Sequence, residues 1–412
     1  MRKRDWTIED AALGVIGTLR EHGHQALWAG GCVRDMLLGH PPHDIDVATD
    51  APPPVICRLF PKTRKVGVQF GVVLVRQGPH WIETATFRAD LDYRDGRRPE
   101  QVVFTTAEQD ARRRDFTING LFYDPVDKRV IDYVDGRRDI EAGVVRAIGD
   151  PDARFAEDHL RMLRAVRFAS RFGFSIDPVT ASAICRLAER IRRISPERVR
   201  EELEKMLVRC SRGRSLRLIA EVGLLPHLWP GSDWSSDRLD EVVRTLDALP
   251  EDADFVLSLA ALLHQESHGK TEAVAQALRC SNDQIEDVAW LVANRRRVAD
   301  AEAMDSASFK KLAAHRRFFA LLALHRAACE ARHEPLTANE AARRRLEAIP
   351  PGQIAPPPLA TGQDLIDLGL EPGPRFKAIL DQLYDAQLNG LISDRVQALA
   401  HLGGIVRPDS GR

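Results

Sequence analysis

The stretch Ala29–Asp46, AGGCVRDMLLGHPPHDID, decides how this 412-residue chain is read. Just before it, Ala26, Leu27 and Trp28 form a short apolar run of the kind that fills a buried strand. Gly30 and Gly31 follow, and paired glycines there permit a strand-to-helix turn whose backbone approaches a ligand closely and offers N–H groups to phosphate. Arg34 then falls on the first turn of the helix, within reach of the same phosphates. Further on, Asp44 and Asp46 flank Ile45; in extended chain side chains alternate with period two, so both carboxylates project to one face. Such a pair suits a hard divalent cation such as Mg²⁺, and ions bridging a triphosphate and an attacking hydroxyl stabilise phosphoryl or nucleotidyl transfer. An isolated DxD is usually a surface turn, and its coupling to GGxVRD at this distance is what points to chemistry.

Around this stretch, apolar β-branched runs at Gly71–Val75, Trp81–Phe87, Val102–Thr106 and Val130–Val134 are separated by Gly, Pro and Asp turn signals, which predicts a small α/β or α+β domain over residues 1 to about 135. From about Asp150 no convincing strand follows. Asp158–Ser170, Val179–Ile191 and Glu197–Arg209 carry the 3.6-residue apolar period instead, so the remainder is expected to be all-α. Pro350, Pro351 and Pro356–Pro358 form a stiff break before a last helical unit, Gln363–Leu402.

Composition sets the class. Hydrophobic residues make up 44% and charged residues 29%, a globular balance that excludes a wholly disordered chain. Net charge is −1, which gives no overall reason to expect nucleic acid, but the charge is segregated. Residues 151–214 hold 15 basic and 9 acidic residues, whereas residues 215–305 hold 8 basic and 17 acidic. Fifty of the 59 basic residues are arginine, the side chain suited to bidentate recognition of phosphates and base edges. Six cysteines at 32, 57, 185, 210, 280 and 329 form no CxxC pair, which argues against a zinc site or a disulfide framework and for a reducing, cytoplasmic setting. The N-terminal MRKRDWTIED runs into a charged amphipathic segment, so neither a signal peptide nor a membrane span is expected.

Further blocks add specificity. They are ETATFRADLDYRDGRRP (Glu83–Pro99), RRRDFTING (Arg112–Gly120), the run Asp132–Asp150 with Asp135, Gly136, Asp139 and Ile140, EDHLR (Glu157–Arg161) and ISPERVREEL (Ile194–Leu203). With GG-C-VRD-MLLG and DID they resemble, in order, the signature of class II template-independent RNA nucleotidyltransferases, the group of tRNA CCA-adding enzymes and bacterial poly(A) polymerases. The likeness covers the first half of the chain strongly, and is nearest to bacterial CCA tRNA nucleotidyltransferases.

This resemblance implies an α+β architecture: a polymerase-β-like nucleotidyltransferase head with a mixed or antiparallel sheet (1–149), then a helical neck (150–214), body (215–350) and tRNA-binding tail (351–412). It implies Mg²⁺ at Asp44 and Asp46, CTP and ATP as substrates and the tRNA acceptor end as partner. Gly31, Arg34 and Arg114 would bind nucleotide, and Asp115 would accept hydrogen bonds from ribose hydroxyls. Asp158 and Arg161 would read the Watson–Crick edge of the base, an acceptor beside paired donors, with Arg164 and Arg167 supporting nucleotide and phosphates. Asp158, Arg161, Arg164 and Arg167 recur every three residues, so on a helix they could line one broad stripe; the bland equivalent is a solvated salt-bridge ladder. Glu83 shares a strand face with Trp81 and Ala85, and as a third carboxylate could position metal or deprotonate the primer 3′-hydroxyl; an edge-strand glutamate is equally ordinary. Gly120 stands where the family usually has alanine, a small-for-small change costing helix propensity.

Two departures narrow the reading. In LAALLHQESHGK, Gln265 follows His264 where some relatives carry the His-Asp pair of an appended phosphohydrolase, and glutamine is a poor hard-metal ligand, so a remnant without phosphatase activity is expected. Thr361–Gly390 resembles the tail of CCA- or A-adding enzymes, and no second basic stretch marks a poly(A) polymerase. The long block after Glu83 argues against a CC-only enzyme. An A-adding specialist, a poly(A) polymerase and a non-catalytic RNA-binding protein are the alternatives; the intact carboxylates speak against the last.

Overall fold

The structure, a computed structural model, describes residues 6–42, 44–67, 70–91, 101–209 and 211–406. The chain divides into two compact units at Trp234/Ser235.

The first unit opens with α1 (Ile8–Glu21), started by a capping box in which Thr7 and Asp10 exchange hydrogen bonds near 3.1 Å. Its apolar stripe, Ala11, Ala12, Val15, Ile16 and Leu19, packs on the central sheet. Into that sheet run β1 (Ala26–Ala29), then α2 (Gly31–Leu37), β2 (Asp46–Thr49), α3 (Pro53–Leu59), β3 (Thr63–Gly67), β4 (Val72–Gln77) and β5 (His80–Thr86). A short antiparallel pair follows, β6 (Arg88–Leu91) with β7 (Gln101–Phe104), and then α4 (Ala107–Arg112). Residues 92–100 of the block after Glu83 lie outside the described residues. β8 (Leu121–Asp124) and β9 (Arg129–Asp132) complete a seven-stranded sheet of order β3-β4-β5-β2-β1-β8-β9. Only β2 and β5 pair in parallel; every other neighbour in it is antiparallel, so the sheet is mixed. β1 is buried along its whole length at the centre. The sheet face away from α1 packs Leu27, Ala29, Ala48, Phe87 and Phe122 against Ala107 and Ala111 of α4.

Past the sheet come α5 (Gly136–Ala142) and β10 (Val144–Val145), then α6 (Pro151–Glu157) and α7 (Arg161–Phe172). β11 (Ser175–Ile176) pairs in parallel with β10, so one two-residue strand does lie beyond Asp150, too short to leave a pattern in sequence. α8 (Pro178–Leu187), α9 (Pro196–Leu207), α10 (Arg212–Glu221) and α11 (Leu225–Leu228) close the unit. α6, α8 and α9 each begin with proline at the first helical position behind Asp150, Asp177 or Ser195, where the missing N–H is no loss. The predicted helix from Asp158 instead starts at Arg161. Asp158 holds extended backbone (φ −148°, ψ 104°) and its carboxylate accepts from the Leu160 N–H at 3.1 Å, a local bond that competes with the helical one.

The second unit is helical. It comprises α12 (Ser236–Asp247), α13 (Phe255–Leu262), α14 (His268–Ala277), α15 (Asn282–Asn294), α16 (Ser306–Ala313), α17 (Phe318–Arg332), α18 (Thr337–Glu347), α19 (Gly362–Asp367), α20 (Pro374–Leu388) and α21 (Arg395–Val406). α13 is buried all round, as its unbroken run FVLSLAAL dictates. The last three helices enclose a separate cluster of Leu365, Ile379, Leu383, Ile392 and Leu402. Among the described residues no helix is long and apolar enough to cross a membrane.

Two glycines fix how α5 meets the turn Thr117–Asn119. A Cβ on Gly136 would lie 2.2 Å from the Thr117 carbonyl oxygen, and one on Gly120 would lie 2.6 Å from Val134 Cγ2. Gly120 closes a one-turn 3₁₀ helix, so helix propensity is not what an alanine there would change; the space is filled by Val134. Gly136→Ala forces backbone against backbone and is expected to cost about 1–3 kcal/mol, the range of overpacked cores. Calorimetric melting of the full chain should then fall by about 3 °C or more; an unchanged transition would contradict this packing.

Candidate active site

Where β1 ends, the chain must turn at once into α2, and Gly30 makes that possible with φ 73°. A Cβ on Gly30 would lie 2.6 Å from Arg114 Nη1, so a side chain there would displace that guanidinium. The turn forms one wall of a cleft of about 520 Å³. Gly31, Arg34, Asp46, Glu83, Arg114, Asp115, Asp158, Arg161, Arg164 and Arg167 all line it. Asp44 does not: it sits in an exposed bend before β2, with Ile45 buried between it and Asp46.

The acidic end is built by the parallel pairing of β2 with β5. Val47 faces Thr84 across the ladder, so Asp46 and Glu83 stand one step earlier on adjacent strands. β5 alternates as its sequence does, with Ile82, Thr84 and Thr86 buried and Glu83 exposed. The Asp46 carboxyl is pushed up to about 6, first because protein atoms displace water around it and then by the negative charge of Glu83; Arg114 pulls the other way and Asp44 adds to the rise.

Most of the other charged residues of the lining are arginines. Arg34 is buried, donates to Asn119 Oδ1 at 2.5 Å and to Asp35 at 2.6 Å, and lies 4.6 Å from the Phe172 ring centroid. Arg114 is held by Asp110 at 3.0 Å. On α7, Arg167 stacks over Phe168 at 4.2 Å and donates to buried Glu202 at 2.6 Å. Arg164 reaches Asp115 at 2.7 Å. Asp115 is the most constrained carboxylate in the cleft. Burial alone would raise its pKa, but Arg164, the amide of Asn119 (2.9 Å) and Arg161 together hold it at about 2.

Arg161 donates to Glu157 at 2.5 Å and to the Arg154 carbonyl at 3.0 Å, which fixes its guanidinium plane. Asp158, off the helix, meets Arg198 of α9 at 2.7 Å. Asp158 and Arg161 thus stand at a helix start rather than along one helical stripe. Five polar or aromatic lining residues are not singled out by the sequence: Arg88, Arg113, Asn119, Phe168 and Arg171. Arg171 continues the arginine spacing by four residues beyond Arg167 and could have been found; Asn119 could not, since its role depends on touching Arg34, Arg114 and Asp115 at once. Eight arginines against four carboxylates leave the lining at net +4. A cleft that holds the exposed carboxylates Asp46 and Glu83 together with several fixed guanidiniums suits a polyphosphate.

Residues 26–146 match the family described as "Poly A polymerase head domain", and residues 173–234 match "Probable RNA and SrmB- binding site of polymerase A". The chain is 36% identical over 397 residues to a CCA-adding enzyme of Geobacillus thermodenitrificans, covering 94% of this chain and 95% of that one. It belongs to the CCA-adding enzyme family. A second family member, from Geobacillus stearothermophilus, is 34% identical over 395 residues, covering 94% of this chain and 95% of that protein. The crystal structure of the Bacillus stearothermophilus CCA-adding enzyme in complex with CTP superposes with a TM-score of 0.80 at 30% identity, over 98% of each chain. That of the Thermotoga maritima CCA-adding enzyme complexed with tRNA shares the fold, with a TM-score of 0.68 at 22% identity over 98% of this chain and 97% of that one.

Because the folded state raises the pKa of Asp46 above its ordinary value, the folded protein binds more protons than the unfolded chain between about pH 4 and 6, and the carboxylate subtracts stability as pH rises through that window. Asp46→Asn should therefore melt above wild type at pH 7 without divalent metal, and match it near pH 4. The gain is on the order of 1 kcal/mol, less than the full shift implies because Asp46 is exposed and water screens it. Melting below wild type at pH 7 would refute the charge crowding.

Proposed function

We propose that this chain adds C, C and A to the 3′ end of tRNA, taking nucleotides from CTP and ATP and releasing pyrophosphate, in the cytoplasm. The observation that carries the reading is one cleft that holds exposed carboxylates together with several immobilised arginines and an acceptor–donor pair, Asp158 and Arg161. Family membership supports it, as do solved relatives holding CTP and tRNA. By this reading the head spans 1–149, the neck 150–214, the body 215–350 and the tRNA-binding tail 351–412.

Arg34, Arg114, Arg164 and Arg167 would hold the triphosphate, with Gly31 leaving room for it at the turn. Asp115, ionised down to about pH 2, accepts from ribose hydroxyls. Asp158 and Arg161 present acceptor and donors to the base edge, and the Asp158–Arg198 pair must loosen as the base arrives.

A divalent ion, taken as Mg²⁺, fits the donor set electrostatically. Asp46 is driven toward protonation by lost solvation and by Glu83 and Asp44, and a cation there would remove that strain. Asp44 and Asp46 would hold it. Among the described residues no group of three or more His, Cys, Asp or Glu side chains is placed to hold an ion, so substrate and water oxygens would complete its shell. When bound, it would neutralise triphosphate charge and favour ionisation of the primer hydroxyl. Glu83 stands beside Asp46 to take that proton or to help position the ion.

Labelled CTP and ATP offered with tRNA ending at the discriminator base, at C or at CC test the whole reading: all three primers should be completed to CCA. Extension of the CC-ended primer alone would identify an A-adding specialist instead. Asp44→Ala, or chelation of divalent metal, should lower incorporation at least ~100-fold, beyond the loss typical of an outer-shell partner, while tRNA binding by gel shift stays near wild type. Substantial CMP or AMP incorporation by Asp44→Ala would sink the metal assignment.

A further inference from the structure

Within the second unit, α12, α13, α15 and α17 enclose a recess of about 660 Å³ that the proposed reaction does not use. Glu241, His264, Arg295, Arg296, His325 and Arg332 line it. Its acidic groups are largely occupied. Glu334 accepts from Arg332 at 2.8 Å and 2.9 Å, and Glu241 accepts from Arg332 at 3.3 Å, from Gln265, and stands 3.4 Å from His264 Nε2. Arg332 is thereby neutralised. Arg295 and Arg296 are not: among the described residues neither forms an ion pair with a carboxylate, and Asp300 on the same lining pairs with neither. Arg295 donates instead to the Val292 carbonyl at 2.5 Å. Its guanidinium is held below its ordinary pKa, first by burial and then by repulsion from Arg296 and Arg332, so positive charge is crowded here.

The histidines point to a ligand independently. His264 and His325 are both more than nine-tenths buried, and burial favours the neutral form of each. His264 Nδ1 lies 2.7 Å from the Ala261 carbonyl, which assigns its hydrogen and turns Nε2 toward Glu241. The ring nitrogens of His325 meet only the Cys329 thiol, at 3.8 Å, which leaves a buried imidazole facing the recess with almost nothing to bond.

We propose that this recess binds the phosphoryl group of a small phosphate monoester of nucleotide size, clamped by Arg295 and Arg296 and contacted by His325. Arg295 and Arg296, which form no ion pair among the described residues, offer two guanidiniums to the nearly two negative charges of a monoester, whereas each phosphate of an RNA backbone carries one. Leu324, Ala299 and Ala328 supply an apolar lining for the organic part, as small-molecule sites have. The site binds; no bond is made or broken there. It is independent of nucleotide addition and does not rest on that reading.

The test uses the full chain and follows the ring signals of His264 and His325 by NMR while inorganic phosphate, and separately AMP, is added. These signals report on the recess even if AMP also enters the cleft of the first unit. Both probes should shift them saturably, and R295Q/R296Q should weaken the apparent affinity about tenfold or more while nucleotide addition to tRNA stays at the wild-type rate. Should that double variant not fold, R296Q alone, at an exposed position, should weaken binding in the same direction. Signals unmoved by about 10 mM of either probe, a regime weaker than any useful site, would overturn the proposal. So would shifts equal in wild type and variant, or shifts produced by tRNA but by neither small probe.

Discussion

An ion pair between the nearly enclosed Asp115 carboxylate and the half-buried Arg164 is the constraint on which the first unit rests. Asp115 belongs to the turn leading into β8, next to the edge strand of the sheet, and Arg164 belongs to α7, the first long helix after it. A carboxylate so enclosed is costly unless paired and hydrogen-bonded, and here Arg164, Asn119 and the Phe116 N–H satisfy it. The same bonds set where α7 lies relative to the sheet, and with it the positions of Arg161, Arg167 and Arg171. From Asn119 the network continues to Arg34 and Arg114. Cleft geometry and domain packing are in this sense one problem with one solution.

Much of the fold is legible in the chain because local rules and tertiary demand agree there. The alternation in WIETATF survives as a strand with Glu83 outward, and the glycine pair after Leu27 and Trp28 turns β1 into α2. The start of α7 is not legible: a continuous apolar period runs through Asp158, and only the side chain's own bond to the Leu160 N–H breaks it. β11 and Asn119 are invisible for another reason. A two-residue strand has no period, and an asparagine gains its meaning from three partners that lie 4, 5 and 85 residues away in sequence. Period two holds at Asp44 as well: Ile45 is buried between two exposed carboxylates, and Asp44 lies near enough to raise the pKa of Asp46, though only Asp46 lines the cleft.

Charge must be read at the scale of a surface. Net −1 over the whole chain hides a cleft lined at +4, and the arginine excess acquires meaning only where aromatic rings and carboxylates hold the guanidiniums still. In the second unit, the departure at Gln265 likewise reads differently once its surroundings are known. The glutamine bonds to Glu241, which in turn meets Arg332, so this residue belongs to the polar network of the recess.

The carboxylates that steady the cleft's arginines also bear on how quickly the cleft can empty. Eight bare guanidiniums would grip a triphosphate, but they would grip pyrophosphate and the finished RNA end as firmly, and tight holding of products slows an enzyme as surely as weak holding of substrate. Asp110, Asp115, Glu157 and Glu202 take up part of the charge of Arg113, Arg114, Arg161, Arg164 and Arg167 in advance. The pairing that shapes the site therefore also caps its affinity, and turnover follows from that ceiling.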